Sequence, residues 1–170
     1  ADVIIEAVYE NIDVKVETFK KIEAVAKPGA ILASNTSGLD VDKMAEATAR
    51  PEAVIGLHFF SPANVMKLLE VVRGENTSKE TIATSMKLGR TLNKIAVLSG
   101  NAPGFIGNRM LSGYTQQASE IILQGATPYQ VDNVLLQFGM PMGPFQMNDL
   151  VGLDLGWRAR KLSGMKPEDI

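Results

Sequence analysis

The 170 residues contain no cysteine and one histidine. Without thiols there is no disulfide scaffold and no thiolate metal site, and a single imidazole excludes a histidine-rich zinc centre, so no metal site is expected. The absence of cysteine also fits a reducing compartment. No apolar run approaches the roughly 18–20 residues that a membrane-spanning helix needs. Positive charge is not in excess: 17 Lys and Arg stand against 19 Asp and Glu, a net charge of −2. A nucleic-acid partner would want clustered basic residues, so none is expected. No G-x-G-x-x-G occurs, so a dinucleotide site cannot be argued from that fingerprint. The chain also lacks an initiator Met and opens at Ala1-Asp2-Val3-Ile4-Ile5. A missing targeting signal is therefore uninformative.

What is present is globular. Hydrophobic residues make up 45% and charged residues 21%, values that favour a packed core over disorder. The length suits one domain, or one domain and part of another. Val3 to Val8 reads as a short buried strand. A helix follows, because Ile12, Val16, Phe19, Ile22 and Ala26 recur at spacings of three or four until Lys27-Pro28-Gly29 stops it. Ala30 to Ala33 is a second strand, ending in the polar turn Ser34-Asn35-Thr36-Ser37-Gly38. Asp40 caps a short helix to about Thr48, and Arg50-Pro51 breaks it. Strands are expected from Ala53 to Phe60, Leu68 to Val72 and Ile95 to Leu98, with a helix from Thr77 or Ser78 to about Leu92.

Strands alternating with helices of this length predict an α/β fold with a parallel, doubly wound sheet, whose ligands lie beyond the carboxyl ends of the strands. After Gly100 the pattern becomes helical. Helices are expected from Phe105 to Gln124, from Thr127-Pro128 to about Phe138, from Phe145 to Leu150, and from Gly152 to Leu162. The expected organisation is an α/β part over residues 1–100 and the opening of an all-helical part over 101–170.

His58 stands where a strand ends, in Gly56-Leu57-His58-Phe59-Phe60-Ser61-Pro62, and Glu70 follows twelve residues later on the next strand. A lone histidine is more often a core residue held by a backbone bond. Here a carboxylate on a nearby strand and a polar turn at the same sheet edge favour a proton-transfer pair. A carboxylate bonded to one imidazole nitrogen fixes the tautomer, and the other nitrogen is left to take a proton. Ser34 to Gly38 carries four hydrogen-bonding side chains in five residues, which also describes an ordinary turn. Asn108 lies in Pro103-Gly104-Phe105-Ile106-Gly107-Asn108-Arg109, at the start of the first long helix. Such a residue ordinarily faces water, but its position at a domain junction raises its claim to a ligand. Glu10 and Lys15 flank the first turn of a helix and read equally as solvated charges. Arg73 and Arg109 have weak claims, and Gly104 to Gly107 follows no phosphate-binding strand turn.

Taken together, these segments resemble the 3-hydroxyacyl-CoA dehydrogenase family. The resemblance rests on Ala1 to Ala7 with Glu10-Asn11 and Lys15, Ser34-Asn35-Thr36-Ser37, Gly56 to Pro62, Met66-Lys67-Leu68-Leu69-Glu70-Val71, Pro103 to Arg109, and Pro141-Met142-Gly143-Pro144-Phe145, in order across nearly the whole chain. It implies a partial Rossmann-like doubly wound NAD-binding domain followed by the start of an all-helical C-terminal domain. It also implies NAD-dependent oxidation of (S)-3-hydroxyacyl-CoA to 3-oxoacyl-CoA in fatty-acid β-oxidation. His58 would be the base and Glu70 its partner. Ser37 and Asn108 would hold the substrate, and Glu10, Lys15, Ser37 and Ser61 would line the cofactor. The partners implied are an acyl-CoA and either a second copy or further domains of a longer parent.

Two departures bear on this expectation. The family's Gly-rich phosphate turn is missing, so the chain is expected to be a fragment lacking the first βαβ unit and inactive alone. Ser61, where single-function members usually carry Asn, together with Ala63-Asn64-Val65-Met66, is more similar to the dehydrogenase part of multifunctional enoyl-CoA hydratase/dehydrogenase enzymes. The alternatives are a stand-alone 3-hydroxybutyryl-CoA dehydrogenase and a non-catalytic module of the same fold. The expected compartment is the cytoplasm of a bacterium or, alternatively, a peroxisome or the mitochondrial matrix.

Overall fold

A computed structural model describes residues 1–153 and 157, and the chain divides into two compact units, Ala1–Met110 and Leu111–Ile170. In the first unit, β1 (Val3–Glu6), β2 (Ile31–Ser34), β3 (Val54–Phe59), β4 (Leu68–Arg73) and β5 (Ile95–Gly100) form one sheet in sequence order. Helix α1 (Ile12–Val25) connects β1 to β2, α2 (Val41–Ala45) and a 3-10 turn at Pro51–Ala53 connect β2 to β3, and α3 (Lys79–Thr91) connects β4 to β5. The helix starts follow the capping chemistry of the sequence. Asn11 accepts the amides of Asp13 and Val14, Asp40 accepts that of Asp42, and Ser78 accepts that of Thr81. Each cap satisfies amides that the first helical turn leaves without partners.

The sheet is mixed, which corrects the expectation of a wholly parallel one. β1, β2 and β3 are parallel, but β4 runs antiparallel to β3, and β5 is parallel to β4. The cause is the connection. Residues 60–67 contain no helix, and a parallel return needs a crossover of about a dozen residues or more. The reversal sets His58 directly opposite Glu70 in the ladder.

Side chains alternate between the faces of the sheet. Ile31, Ala33, Ile55, Leu57, Leu69 and Val71 form one apolar cluster, against which Ile82 and Met86 of α3 pack. Leu32, Val54 and Val72 lie on the other face with Phe19 of α1, Val41 and Met44 of α2, and Phe105. Gly56 belongs to this second face, where a Cβ would meet Val72 at 2.8 Å and Val41 at 3.2 Å. Helices therefore cover both faces, as a doubly wound sheet requires.

Helix α4 (Gly107–Leu123) begins in the first unit. The second unit continues with α5 (Pro128–Phe138) and α6 (Pro144–Val151). Thr127 and Gln130 form a reciprocal capping box with Pro128 at the first helical position, and Gly139 ends α5 in the left-handed conformation at φ 108°. Buried Asp132 accepts the amides of Phe145 and Gln146 and so caps α6 from a neighbouring helix. The helix expected from Gly152 to Leu162 falls largely outside the described residues. Among the described residues no helix is long and apolar enough to cross a membrane.

Candidate active site

The second face of the sheet changes character at one end. Glu6, Ser34 and His58, near the carboxyl ends of the three parallel strands, share the side-chain parity of Ile4, Leu32 and Val54, and Glu70 joins them from β4. His58 is 6% exposed and Glu70 1%. His58 Nδ1 lies 2.7 Å from Glu70 Oε2. Glu70 Oε1 accepts the backbone amides of Ile106 at 2.9 Å and Gly107 at 2.8 Å. Two amide donors at the start of a helix occupy this oxygen. A carboxylate has only acceptors to offer, so Nδ1 of the neutral ring carries the hydrogen and donates it. Nε2 of that ring then keeps the lone pair.

The imidazole is also bracketed by rings. Phe60 lies 4.3 Å away between centroids, and Phe105 lies 5.9 Å away. The turn that delivers Phe105 and the two amides is tight, with Gly104 at φ 69° and Phe105 at φ 50°. A positive φ is uncommon for a phenylalanine, and the burial of its ring at 3% exposure holds it there. Gly107 has no room for a side chain, since a Cβ would lie 2.7 Å from Phe60 Cζ. The next residue, Asn108, donates from Nδ2 to the Ser37 carbonyl at 2.9 Å. Residues 105–108 thus touch both the His58–Glu70 pair and the Ser37 turn.

The Ser34 to Gly38 turn is tied down residue by residue. Asn35 Oδ1 accepts the amide of Phe59 and fixes the strand end beside His58. Thr36 Oγ1 accepts the amides of Gly38 and Leu39. The Thr36 hydroxyl, the Ser37 amide and the Ser37 hydroxyl all donate to Glu10 Oε1, at 2.7, 2.7 and 3.0 Å. Burial pushes the Glu10 carboxyl up, but the Thr36 hydroxyl, the Ser37 amide, the Lys15 charge and the Ser37 hydroxyl together hold it below the ordinary glutamate value.

Lys15 is 0% exposed, and its ammonium meets Glu6 rather than solvent. Ser61 lies exposed at the bend just after β3, joined to Pro62 by a cis peptide. The structure therefore gathers His58, Glu70, Ser37, Asn108 and Glu10 into linked contacts, with Lys15 beneath Glu10. Three participants escaped the sequence reading. Glu6 was hidden inside an apolar run, although a carboxylate within Val3-Ile4-Ile5-Glu6-Ala7-Val8 is itself a signal. Phe105 and Gly107 looked like helix-start residues, and only their contacts reveal what they hold.

Comparison with known proteins gives the family. Residues 1–102 match the family model of the 3-hydroxyacyl-CoA dehydrogenase NAD binding domain, and residues 104–169 match that of the same family's C-terminal domain. The chain belongs to the 3-hydroxyacyl-CoA dehydrogenase family. The peroxisomal bifunctional enzyme of Danio rerio is 54% identical over 169 residues, which cover 99% of this chain and 24% of that protein. The chain thus spans about a quarter of the length of that relative. Among solved structures, 3-hydroxybutyryl-CoA dehydrogenase from Escherichia coli K12 superposes with a TM-score of 0.88 at 35% identity, covering 100% of this chain and 37% of the other. The dehydrogenase part of multifunctional enzyme 1 from C. elegans gives a TM-score of 0.65 at 33% identity, covering 98% of this chain and 39% of the other. Strands β1 to β5 fall within the residues that match the NAD binding domain, and α4, α5 and α6 fall within those that match the C-terminal domain.

Proposed function

We propose that the natural protein carrying this chain oxidises (S)-3-hydroxyacyl-CoA to 3-oxoacyl-CoA with NAD, and that His58 is its base. The observation that carries this reading is the orientation of the imidazole. Nδ1 is committed to Glu70 at 2.7 Å, and Glu70 is committed to two helix-start amides, so Nε2 is the nitrogen left to take the 3-hydroxyl proton. Glu70 then stabilises the imidazolium that results. NAD, when bound, supplies the acceptor for the hydride leaving C3.

The residues present fit part of that cofactor. Glu10, half-buried at the sheet edge, and the exposed Ser37 offer a carboxylate and a hydroxyl to its polar groups, and Ser61 lies at the bend after the His58 strand. The 170 residues carry no Gly-rich G-x-G-x-x-G phosphate turn. Asn108 and Ser37, tied to each other, are the groups proposed to hold the substrate. The relatives' names favour a multifunctional β-oxidation enzyme in the peroxisome over the bacterial cytoplasm as the setting. The proposal adds an acyl-CoA as substrate and a homodimer or a multidomain parent as the assembly. Enoyl-CoA hydratase activity in the same polypeptide separates that parentage from a stand-alone 3-hydroxybutyryl-CoA dehydrogenase.

The test is His58→Gln in the natural protein, followed by NADH formation from 3-hydroxybutyryl-CoA. The expected result is a fall in kcat of about 10²–10⁴-fold with NAD affinity within about twofold of the parent. A variant that keeps its kcat would remove His58 from the reaction.

A further inference from the structure

Residues 101–108 supply the two amides on Glu70 and the side chain on Ser37, and both ends of this segment are fastened to residues 37–42. At one end Asn108 Nδ2 donates to the Ser37 carbonyl. At the other end the Asn101 carboxamide is fully engaged. Its Nδ2 donates one hydrogen to Asp40 Oδ1 and one to Asp42 Oδ2, both at 2.6 Å, and its Oδ1 accepts the Val41 amide at 3.1 Å. The reverse orientation would set an oxygen against two carboxylates, so the chemistry fixes which way the amide points. Asp42 is itself tied, because its Oδ1 accepts the Glu75 amide at 2.7 Å. Between the two ends the segments run close: a Cβ on Gly38 would lie 3.5 Å from the Gly104 nitrogen.

The span between the two asparagines is wound, with little slack. The Phe105 amide donates to the Ala102 carbonyl at 2.8 Å, and the Arg109 amide to that of Gly104 at 3.0 Å. Gly104 and Phe105 both take positive φ, and such backbone persists only where its surroundings over-determine it. The Phe105 ring, packed with Val41 and Met44, is one constraint. Asn101 is a second, at the start of the same helix α2. Capping does not account for it, since Asp40 already caps α2 through the Asp42 amide. Two of its three bonds go instead to carboxylates, and bonds to an ionised acceptor are roughly twice as strong as neutral ones.

We propose that Asn101 is a positioning residue: by pinning the connection to the start of α2, it sets the Ile106 and Gly107 amides on Glu70 and the Asn108 side chain on Ser37. The kinetic consequences rest on the dehydrogenase reading, in which Asn108 and Ser37 hold the substrate. The structural consequence stands apart from it.

The experiment uses the natural protein with Asn101→Ala. It reads thermal midpoint, amide hydrogen exchange at Val41, Ile106 and Gly107, kcat, and KM for 3-hydroxybutyryl-CoA and for NAD. The variant is expected to fold and to exchange Ile106 and Gly107 about tenfold faster, as loss of ties of this kind implies. KM for 3-hydroxybutyryl-CoA should rise about tenfold, with KM for NAD within about twofold of the parent and a smaller change in kcat. Faster exchange confined to Val41 would make Asn101 a local cap and overturn the proposal. A parental KM for the acyl-CoA in an active variant, or equal rises in both KM values, would overturn it too. Should Asn101→Ala fail to fold, Asp40→Asn decides, because it keeps a capping side chain while replacing a charged acceptor by a neutral one. Exchange at Ile106 and Gly107 is then expected to quicken about threefold, and unchanged exchange overturns the link. A parent protein without dehydrogenase activity would refute the functional reading, while the exchange results would still judge the positioning claim.

Discussion

The two faces of the sheet are made by the same strands and do different work. On one face, Ile31, Ala33, Ile55, Leu57, Leu69 and Val71 close a cluster under α3 with no polar residue among them. On the other, Leu32, Val54 and Val72 give way toward one end to Glu6, Ser34, His58 and Glu70. Alternation at a period of two lets residues 57 and 58 serve opposite purposes one position apart. The apolar face supplies the rigid support, and the polar end of the other face carries the groups proposed for the chemistry. Polar groups are tolerable there because each is satisfied: Glu70 by two amides and an imidazole, Glu6 by Lys15, an amide and a hydroxyl.

Breaking the polar end should cost activity more than fold. Glu70→Gln puts an amide where Nδ1 needs an acceptor. The side-chain N–H can then donate to the ring and leave the wrong nitrogen protonated. A fall in kcat of about 10²–10⁴-fold is expected, measured as NADH formation in the natural protein. Retained kcat would mean that Glu70 does not set the tautomer. On the opposite face, Leu57→Ala removes a wholly buried side chain and should lower unfolding free energy by about 2–5 kcal/mol in denaturant titrations. The kcat of the folded fraction should stay near the parent's. A loss of kcat as large as that of Glu70→Gln would erase the distinction between the faces.

The smallest expected effect is a pH dependence. The Glu10 carboxyl is held below its ordinary value of 4.5, so its stabilising contribution is present above about pH 4.5 and fades as pH falls through the lowered value. Urea midpoints compared between neutral pH and the acid range should therefore drop less for Glu10→Gln than for the parent. Equal drops would show that Glu10 is not held by Thr36, Ser37 and Lys15 as described.

Much of this arrangement was legible in the sequence, for identifiable reasons. His58 and Glu70 stood out because a lone imidazole at a strand end and a carboxylate inside an apolar strand are both costly unless they are used. Three helix starts followed from Asp40, Thr77 or Ser78, and Thr127, whose capping chemistry is local. The direction of β4 was misread because alternating strands and helices imply parallel pairing, and only the helix-free connection at residues 60–67 argued otherwise. Lys15 read as a solvated charge or, by resemblance, as a cofactor contact, since the sequence cannot show that the end of β1 places Glu6 beneath it. The tie between residues 105–108 and both halves of the site was invisible for the same reason. It depends on contacts 36 to 71 residues apart along the chain, such as Ile106 with Glu70 and Asn108 with Ser37.

The central claim is that strand pairing and two helix-start amides make His58 a base at Nε2. Nitrogen NMR of histidine-labelled natural protein, with the His58 signals assigned by their loss in His58→Gln, reads this directly. The expected spectrum of the neutral ring has hydrogen on Nδ1 and a free lone pair on Nε2, and this pattern should be lost in Glu70→Gln. Hydrogen on Nε2 in the parent, or the same pattern persisting without the Glu70 carboxylate, would contradict the account.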